Sequence, residues 1–159
     1  MDKLRFIVLD ASYPLFLPLP FFLTTVNKND AEFVQAIHTE VGTFGQPFSL
    51  GHVDFWPNGG RAQPGCSNGL LIFPFSDADI CGHRRSWRFW AESVANLNNS
   101  EPTFLGFPAF SYLTFLLDGE DNLEKKTVEM GINCPMSAKG NYYLKTNSRS
   151  PFAKGKDGY

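Results

Sequence analysis

The chain has 159 residues, of which 43% are hydrophobic and 15% aromatic, with 16 phenylalanines among them. This composition predicts a folded domain with a substantial core and argues against intrinsic disorder. The net charge of −2 and the scattered lysines and arginines offer no basic surface, so we exclude binding to nucleic acid.

The sequence contains no apolar stretch long enough to cross a membrane. Its apolar residues 15–23 form a short segment interrupted by Pro18 and Pro20, which predicts a loop or a lipid-facing surface. Residues 1–5 lack the continuous apolar region and the cleavage site of a secretory signal. The residues as given therefore predict neither a transmembrane segment nor a signal peptide.

Three strands are predicted in the first sixty residues. Residues 6–9 are a continuous apolar run that ends in Asp10, which is typical of a buried parallel strand with a functional side chain at its carboxyl end. Residues 33–38 and 52–56 predict two more strands, and the turn residues 57–60 close the second of them. We therefore expect Asp10 at the tip of a strand.

The second half of the chain begins with an amphipathic helix over residues 84–97. Its apolar positions recur at helical spacing, and charged residues occupy the other faces. The apolar positions are Trp87, Trp90, Val94 and Leu97, and the charged ones Arg84, Arg85, Arg88 and Glu92. Residues 102–115 are predicted to be irregular, residues 118–126 exposed and charged, and residues 141–146 a last strand. We find no repeat and no domain boundary.

Asp10 and His83 are the candidate catalytic residues. A serine hydroxyl becomes a good nucleophile when a histidine takes its proton, and a carboxylate then orients the histidine and stabilises the imidazolium. In α/β-hydrolases the chain order is serine, acid, histidine, and residues 1–9 contain no serine. The chain thus reads as the second half of a hydrolase. The alternatives are that Asp10 is a turn or capping residue and that His83 is structural.

One serine motif comes after the candidate acid. Residues 65–69 read Gly-Cys-Ser-Asn-Gly and match the G-x-S-x-G pattern of a nucleophile elbow. They follow Gln63 and Pro64 instead of a buried strand, and they lead into the apolar residues 70–74 instead of a helix. We interpret them as a turn.

The remaining histidines and the cysteines indicate no metal site. His38 and His52 have no cysteine or carboxylate at metal-ligand spacing, so we interpret both as packed or hydrogen-bonded side chains. The cysteines are Cys66, Cys81 and Cys134, and their odd number indicates a buried thiol or a partner outside this chain.

Five motifs in this order resemble the pancreatic lipase family. They are residues 9–16 (LDASYPLF), 30–39 (DAEFVQAIHT), 51–60 (GHVDFWPNGG), 63–66 (QPGC) and 81–86 (CGHRRS). Residues 130–135, followed by Phe152 and Ala153, look like the end of the catalytic domain in insect-type members. The resemblance implies a single partial α/β-hydrolase domain over residues 1–159, made of the carboxy-terminal half of a mixed sheet with flanking helices.

The resemblance also implies roles for particular residues. Asp10 would be the triad acid, His83 the triad base, and a disulfide between Cys66 and Cys81 would bracket a short lid over residues 67–80. The lid would present apolar side chains to acyl chains or a membrane, with core packing as the alternative. These side chains are Leu70, Leu71, Ile72, Phe73 and Phe75.

The family relationship implies an activity that needs no cofactor. It would be hydrolysis of glycerolipid esters by a secreted triacylglycerol lipase or phospholipase A1-like enzyme. In the family that the chain resembles, triacylglycerol lipases have a long lid and a long second surface loop, and phospholipase A1-like members have short ones. The 14-residue lid and the compact loop over residues 39–50 therefore imply phospholipid or galactolipid esters.

The chain departs from the family pattern at several positions. It lacks the serine elbow and the oxyanion donors, so the chain alone is expected to be inactive. Asn27 and Asp30 stand where the family often has two acidic calcium ligands, so we predict no strong calcium site. Ala109 replaces a family cysteine, which leaves Cys134 without an obvious partner. The alternative function is a catalytically inactive lipid-binding protein, such as a yolk-type carrier.

Overall fold

The computed structural model describes residues 4–12, 26–66, 80–98, 102–118, 121 and 126–159. Within these residues the chain forms a mixed sheet and two α-helices. The strands are β1 (Arg5–Leu9), β2 (Phe33–Ile37), β3 (Val53–Pro57), β4 (Leu105–Pro108), β5 (Val128–Glu129) and β6 (Gly140–Leu144). The helices are α1 (Cys81–Ala95) and α2 (Tyr112–Asp118), and 3-10 turns cover Asn58–Gly60 and Gly155–Gly158.

The sheet has the strand order β1-β2-β3-β6-β4-β5 in the described part of the chain. β1, β2, β3 and β6 are parallel neighbours, whereas β4 is antiparallel to both β6 and β5. Every residue of β2 and β3 is buried, as expected for central strands with both faces covered. The predicted α/β class is therefore confirmed, and the four predicted strands lie within two residues of their expected bounds.

The segment that the sequence predicted to be irregular contains β4 and most of α2. Phe107 and Pro108 of β4 are in register with Tyr143 and Tyr142 of β6. The strand has no alternating pattern, because Gly106 occupies a site where a Cβ atom would lie 2.8 Å from the ring of Phe55. The neighbouring ring leaves space only for a glycine at this position. The glycine interrupts the alternation of apolar residues from which a strand is predicted.

Two clusters of aromatic side chains cover the two faces of the sheet. On the α1 face, Phe89 contacts the rings of Phe104 and Phe152, with centroids 5.4 and 5.3 Å apart. On the α2 face, Phe115 lies 6.2 Å from both Phe107 and Tyr143. The many phenylalanines thus fill both layers between sheet and helices.

The predicted helix is present, but it buries a different face from the one that its apolar spacing indicated. Trp87 and Leu97 are 50% and 45% exposed, whereas Arg85, Phe89 and Ser93 are buried. Arg85 can be buried because its guanidinium donates hydrogen bonds of 3.0 Å to two backbone carbonyls, and it lies 4.5 Å from the ring of Phe152. Hydrogen bonding and cation–π contact offset the cost of removing this charge from water.

None of the helices that the structure describes has the length and apolar character needed to cross a membrane.

Arg5 anchors β1 to the carboxy-terminal half of the chain. Its guanidinium donates a 2.8 Å hydrogen bond to the carbonyl of Ile132 and a second one to the carbonyl of Cys134. The same group lies 5.2 Å from the ring centre of Phe33. Because a planar guanidinium can bridge two acceptors while stacking on a ring, this contact requires arginine.

We expect Arg5→Lys to destabilise the protein by about 1–3 kcal/mol, because the ammonium cannot reproduce the fork of two hydrogen bonds. Urea unfolding followed by tryptophan fluorescence measures this difference. Arg149→Lys is the matched control, since Arg149 is exposed and should tolerate the same exchange. Equal unfolding midpoints for Arg5→Lys and wild type would contradict the anchoring role.

Candidate active site

Asp10 stands immediately after β1, at the edge of the sheet where the parallel strands end. Its backbone N–H donates a 2.8 Å hydrogen bond to the carbonyl of Ile37, so the pairing of β1 with β2 extends one residue further. The chain then turns with a φ of 48° at Asp10, a left-handed conformation that aspartate adopts more readily than most residues. This turn places a carboxylate that is only 1% exposed at the carboxyl end of the sheet.

The segment that follows β2 holds the carboxylate of Asp10. Oδ1 of Asp10 accepts backbone N–H groups from Thr39 at 2.7 Å and from Glu40 at 3.1 Å. Both donors belong to the main chain, so side-chain changes at these positions do not remove them. The buried carboxylate therefore has two fixed partners before it meets any histidine.

His83 occupies the other oxygen of the same carboxylate. Nδ1 of His83 lies 2.7 Å from Oδ2 of Asp10 and donates its proton to it, which leaves Nε2 as the proton acceptor of the neutral ring. The pKa of His83 is raised above its ordinary value of 6.5, chiefly by this hydrogen bond. Partial burial opposes the rise, and the negative charges of Asp10 and Glu40 add to it.

Three contacts fix the beginning of α1, where His83 is the third residue. Cys81, the first residue of the helix, forms a disulfide with Cys66. The carboxylate of Glu40 accepts the backbone N–H of His83. Arg85 donates to the carbonyl of Pro64 at 3.0 Å. His83 is thus held through its backbone as well as through its ring.

The structure brings together the two residues that sequence analysis selected as acid and base. It also joins the two cysteines that the family resemblance paired. The predicted lid over residues 67–80 lies outside the described residues except for Ile80, and so do its proposed apolar contacts. These contacts are Leu70, Leu71, Ile72, Phe73 and Phe75. Within the G-x-S-x-G match, only Gly65 and Cys66 are described, and Cys66 donates its N–H to the carbonyl of Gln63 in a turn.

The other two histidines are hydrogen-bonded, as interpreted from the sequence. Nε2 of His38 lies 2.8 Å from Oδ1 of Asp54, and its ring stacks on Trp56 with centroids 3.8 Å apart. Nδ1 of His52 accepts the N–H of Val34 at 3.1 Å. His38 is only 1% exposed, so this second Asp–His pair offers no access to a substrate.

The remaining candidate positions show local structural contacts. Oδ2 of Asp30 accepts the backbone N–H of Asn27 at 2.7 Å within a turn. No group of three or more His, Cys, Asp or Glu is placed to hold a metal ion in the described ranges. Burial raises the pKa of the Cys134 thiol to about 12, and such a thiol is unreactive at neutral pH.

Sequence reasoning missed Glu40 and Gly45. A Cβ atom on Gly45 would lie 2.5 Å from Oδ1 of Asp10, so the loop passes closely over the carboxylate. A usable signal for Glu40 existed, because it follows the second predicted strand and parallel strands bring their carboxyl ends to one edge. Gly45 had no such signal, since its importance comes from a contact across 35 residues of chain.

Comparison with known proteins shows similarity to lipases. The sequence profile of the family described as "Lipase" matches residues 3–152. The chain is 35% identical over 123 residues to pancreatic triacylglycerol lipase of Sus scrofa, which covers 67% of this chain and 26% of that protein. It is 34% identical over 128 residues to lipase member H-B of Xenopus laevis, covering 80% of this chain and 26% of that protein.

A third relative extends the match. Pancreatic lipase-related protein 3 of Homo sapiens is 33% identical over 171 residues, which covers 85% of this chain and 34% of that protein. The chain spans about a quarter of the length of the pancreatic triacylglycerol lipases that it matches.

We expect Gly45→Ala to disturb the Asp10–His83 pair, because the added methyl group would displace a carboxylate held by three hydrogen bonds. The substitution should destabilise the protein by about 1–3 kcal/mol, as other overpacked sites do. It should also lower the pKa of His83, which NMR titration of the imidazole measures. Asn29→Ala, which introduces alanine in an exposed turn away from the site, serves as the control. An unchanged His83 titration in Gly45→Ala would contradict the close contact.

The raised pKa of His83 predicts a pH dependence of stability. The folded protein binds this proton more tightly than the unfolded chain, so the stabilisation is complete below pH 6.5 and is lost as the pH rises through the folded pKa. Between about pH 6 and about pH 9, wild type should therefore lose more unfolding free energy than His83→Gln. Urea unfolding at several pH values measures both slopes, and parallel slopes would contradict the assignment.

Proposed function

The chain belongs to the pancreatic lipase family, and we propose on this premise that Asp10 and His83 are the acid and the base of a serine hydrolase. Its substrates are glycerolipid esters. The observation that carries the proposal is the 2.7 Å contact between His83 Nδ1 and Asp10 Oδ2 at the carboxyl edge of the parallel strands. That edge is where α/β folds place their reacting groups.

The contact suits a base that works through Nε2. His83 Nε2 takes the proton of a serine hydroxyl while the serine oxygen bonds to the ester carbonyl carbon, and Asp10 stabilises the imidazolium. His83 then returns the proton to the alkoxide leaving group, which departs as the alcohol portion of the lipid. In the second half, Nε2 takes a proton from water, whose oxygen bonds to the acyl carbon; His83 then returns this proton to the serine oxygen as its bond to the acyl carbon breaks, and the fatty acid is released.

We place the serine nucleophile outside these 159 residues, in the whole protein. No serine precedes Asp10 in the sequence given, and none of the serines that the structure describes hydrogen-bonds to His83 Nε2. The outer side of β1 has no strand partner in the described residues, so it offers a position for a nucleophile-bearing strand beside Asp10. We accordingly expect the 159-residue polypeptide alone to hydrolyse no ester.

Residues 67–80 are proposed as a short lid. The disulfide between Cys66 and Cys81 closes this segment at its two ends, directly before His83. An apolar flap with Leu70, Leu71 and Phe73 would suit contact with acyl chains. Its shortness, with the compact loop over residues 39–50, favours phospholipid or galactolipid esters over triacylglycerol. The disulfide also supports secretion, since such bonds persist in oxidising compartments.

The test requires the protein that the native transcript encodes, with its upstream sequence read from full-length RNA. Fatty-acid release is measured from phosphatidylcholine vesicles and from emulsified triacylglycerol. Asp10→Asn should lower kcat by about 10⁴-fold and His83→Ala by at least about 10³-fold, because triad members act as a unit.

Two matched substitutions serve as controls. Asp157→Asn changes an exposed aspartate, and His52→Gln changes a histidine at the amino-terminal end of β3. Both should retain activity near that of wild type. Full activity of Asp10→Asn or His83→Ala would refute their roles. A protein that binds vesicles without releasing fatty acid would instead be a carrier.

A further inference from the structure

Glu40 contacts both members of the acid–base pair, with different parts of the residue. Its backbone N–H donates a 3.1 Å hydrogen bond to Oδ1 of Asp10. Its side-chain Oε2 accepts the backbone N–H of His83. Glu40, in the segment after β2, therefore links the acid that follows β1 to the helix that contains the base.

The helix start needs this carboxylate, because α1 has no cap of its own. Ile80 at the N-cap position makes no side-chain hydrogen bond, and the first turn contains no acidic residue. The first N–H groups of a helix lack partners within the helix and carry partial positive charge. The Glu40 carboxylate comes from another segment and accepts an N–H of the first helical turn, as the side chain of an N-cap residue normally does.

Gly82 leaves room for this contact. A Cβ atom at this position would lie 3.0 Å from both Cδ and Oε1 of Glu40. The loop after β2 also holds Glu40 from its own side, because its carbonyl accepts the N–H of Gly45 at 2.8 Å. The carboxylate is thus seated against the first turn of α1 by the shape of both segments.

We propose that Glu40 is a positioning residue that fixes the start of α1, and with it the imidazole of His83, against the Asp10 carboxylate. The inference rests on the proposed function for the task of His83, whereas the contacts themselves are independent of any reaction. Substituting the Glu40 side chain leaves its backbone N–H on Asp10, so the effect on the helix can be measured separately.

The carboxylate has two separable effects on His83. As a hydrogen-bond acceptor it holds the backbone, and as a negative charge it adds to the rise in the pKa of the imidazole. The charged groups that raise this pKa from neighbouring segments are Asp10 after β1 and Glu40 after β2. Arg84 is the adjacent charged residue on α1, and the ring of Phe44 lies 6.0 Å away.

The experiment compares Glu40→Gln and Glu40→Ala by NMR. Glutamine retains an acceptor and removes the charge, so the pKa of His83 should fall while its backbone amide stays protected from hydrogen exchange. Alanine removes both, so exchange of the His83 amide should accelerate by about tenfold or more, as expected from the loss of a helix cap. Glu32→Gln, which removes an exposed charge in the same part of the chain, should change neither quantity.

The outcomes separate this inference from the proposed function. Unchanged His83 exchange in Glu40→Ala would overturn the positioning role whether or not the protein hydrolyses lipids, and an unchanged His83 pKa in Glu40→Gln would overturn the effect of the charge. If Glu40→Ala does not fold, Glu40→Met takes its place, because it removes the acceptor and keeps the length of the side chain; unchanged exchange of the His83 amide in that variant would likewise overturn the role. In the active whole protein, Glu40→Gln should move the lower limb of the kcat–pH profile to lower pH and leave KM unchanged.

Discussion

The buried carboxylate of Asp10 joins three parts of the molecule that are distant in sequence. Asp10 directly follows β1. Its carboxylate accepts two main-chain N–H groups from the segment after β2 and the imidazole proton of His83 from α1. A buried carboxylate without partners would be costly, and here each oxygen has at least one donor. The position of the helix on the sheet therefore depends on the same contacts that orient the histidine.

Small residues make this arrangement possible. The loop over residues 39–50 passes close to Asp10 at Gly45, where a Cβ atom would lie 2.5 Å from Oδ1, and α1 begins beside Glu40 at Gly82, where a Cβ atom would lie 3.0 Å from the carboxylate. The disulfide between Cys66 and Cys81 also holds the first residue of the helix. The Asp10–His83 pair therefore depends on the loop over residues 39–50, since any shift of this loop would disturb both the start of α1 and the Asp10 carboxylate.

The two Asp–His pairs of the molecule show how burial divides structural from reactive chemistry. In both, an imidazole nitrogen lies within 2.8 Å of a carboxylate oxygen. The His38 side chain is 1% exposed and stacks on Trp56, whereas the His83 side chain is 31% exposed. A base must exchange protons with a substrate, so only the second pair has the access that catalysis requires.

The sequence by itself determined β1, β2, β3 and β6, but not β4 or β5; it also determined the helix that carries His83 and the choice of Asp10 and His83. These follow from patterns that are local in the sequence. They are an apolar run that ends in an acid, and five short motifs in the order typical of the family. Tertiary structure alone decided which face of α1 is buried. Apolar spacing indicated Trp87 and Leu97, yet Phe89 and Arg85 face the sheet side, because long-range contacts at the helix start set its rotation. It also decided the roles of Glu40 and Gly45, since these depend on distances between segments that no local pattern encodes.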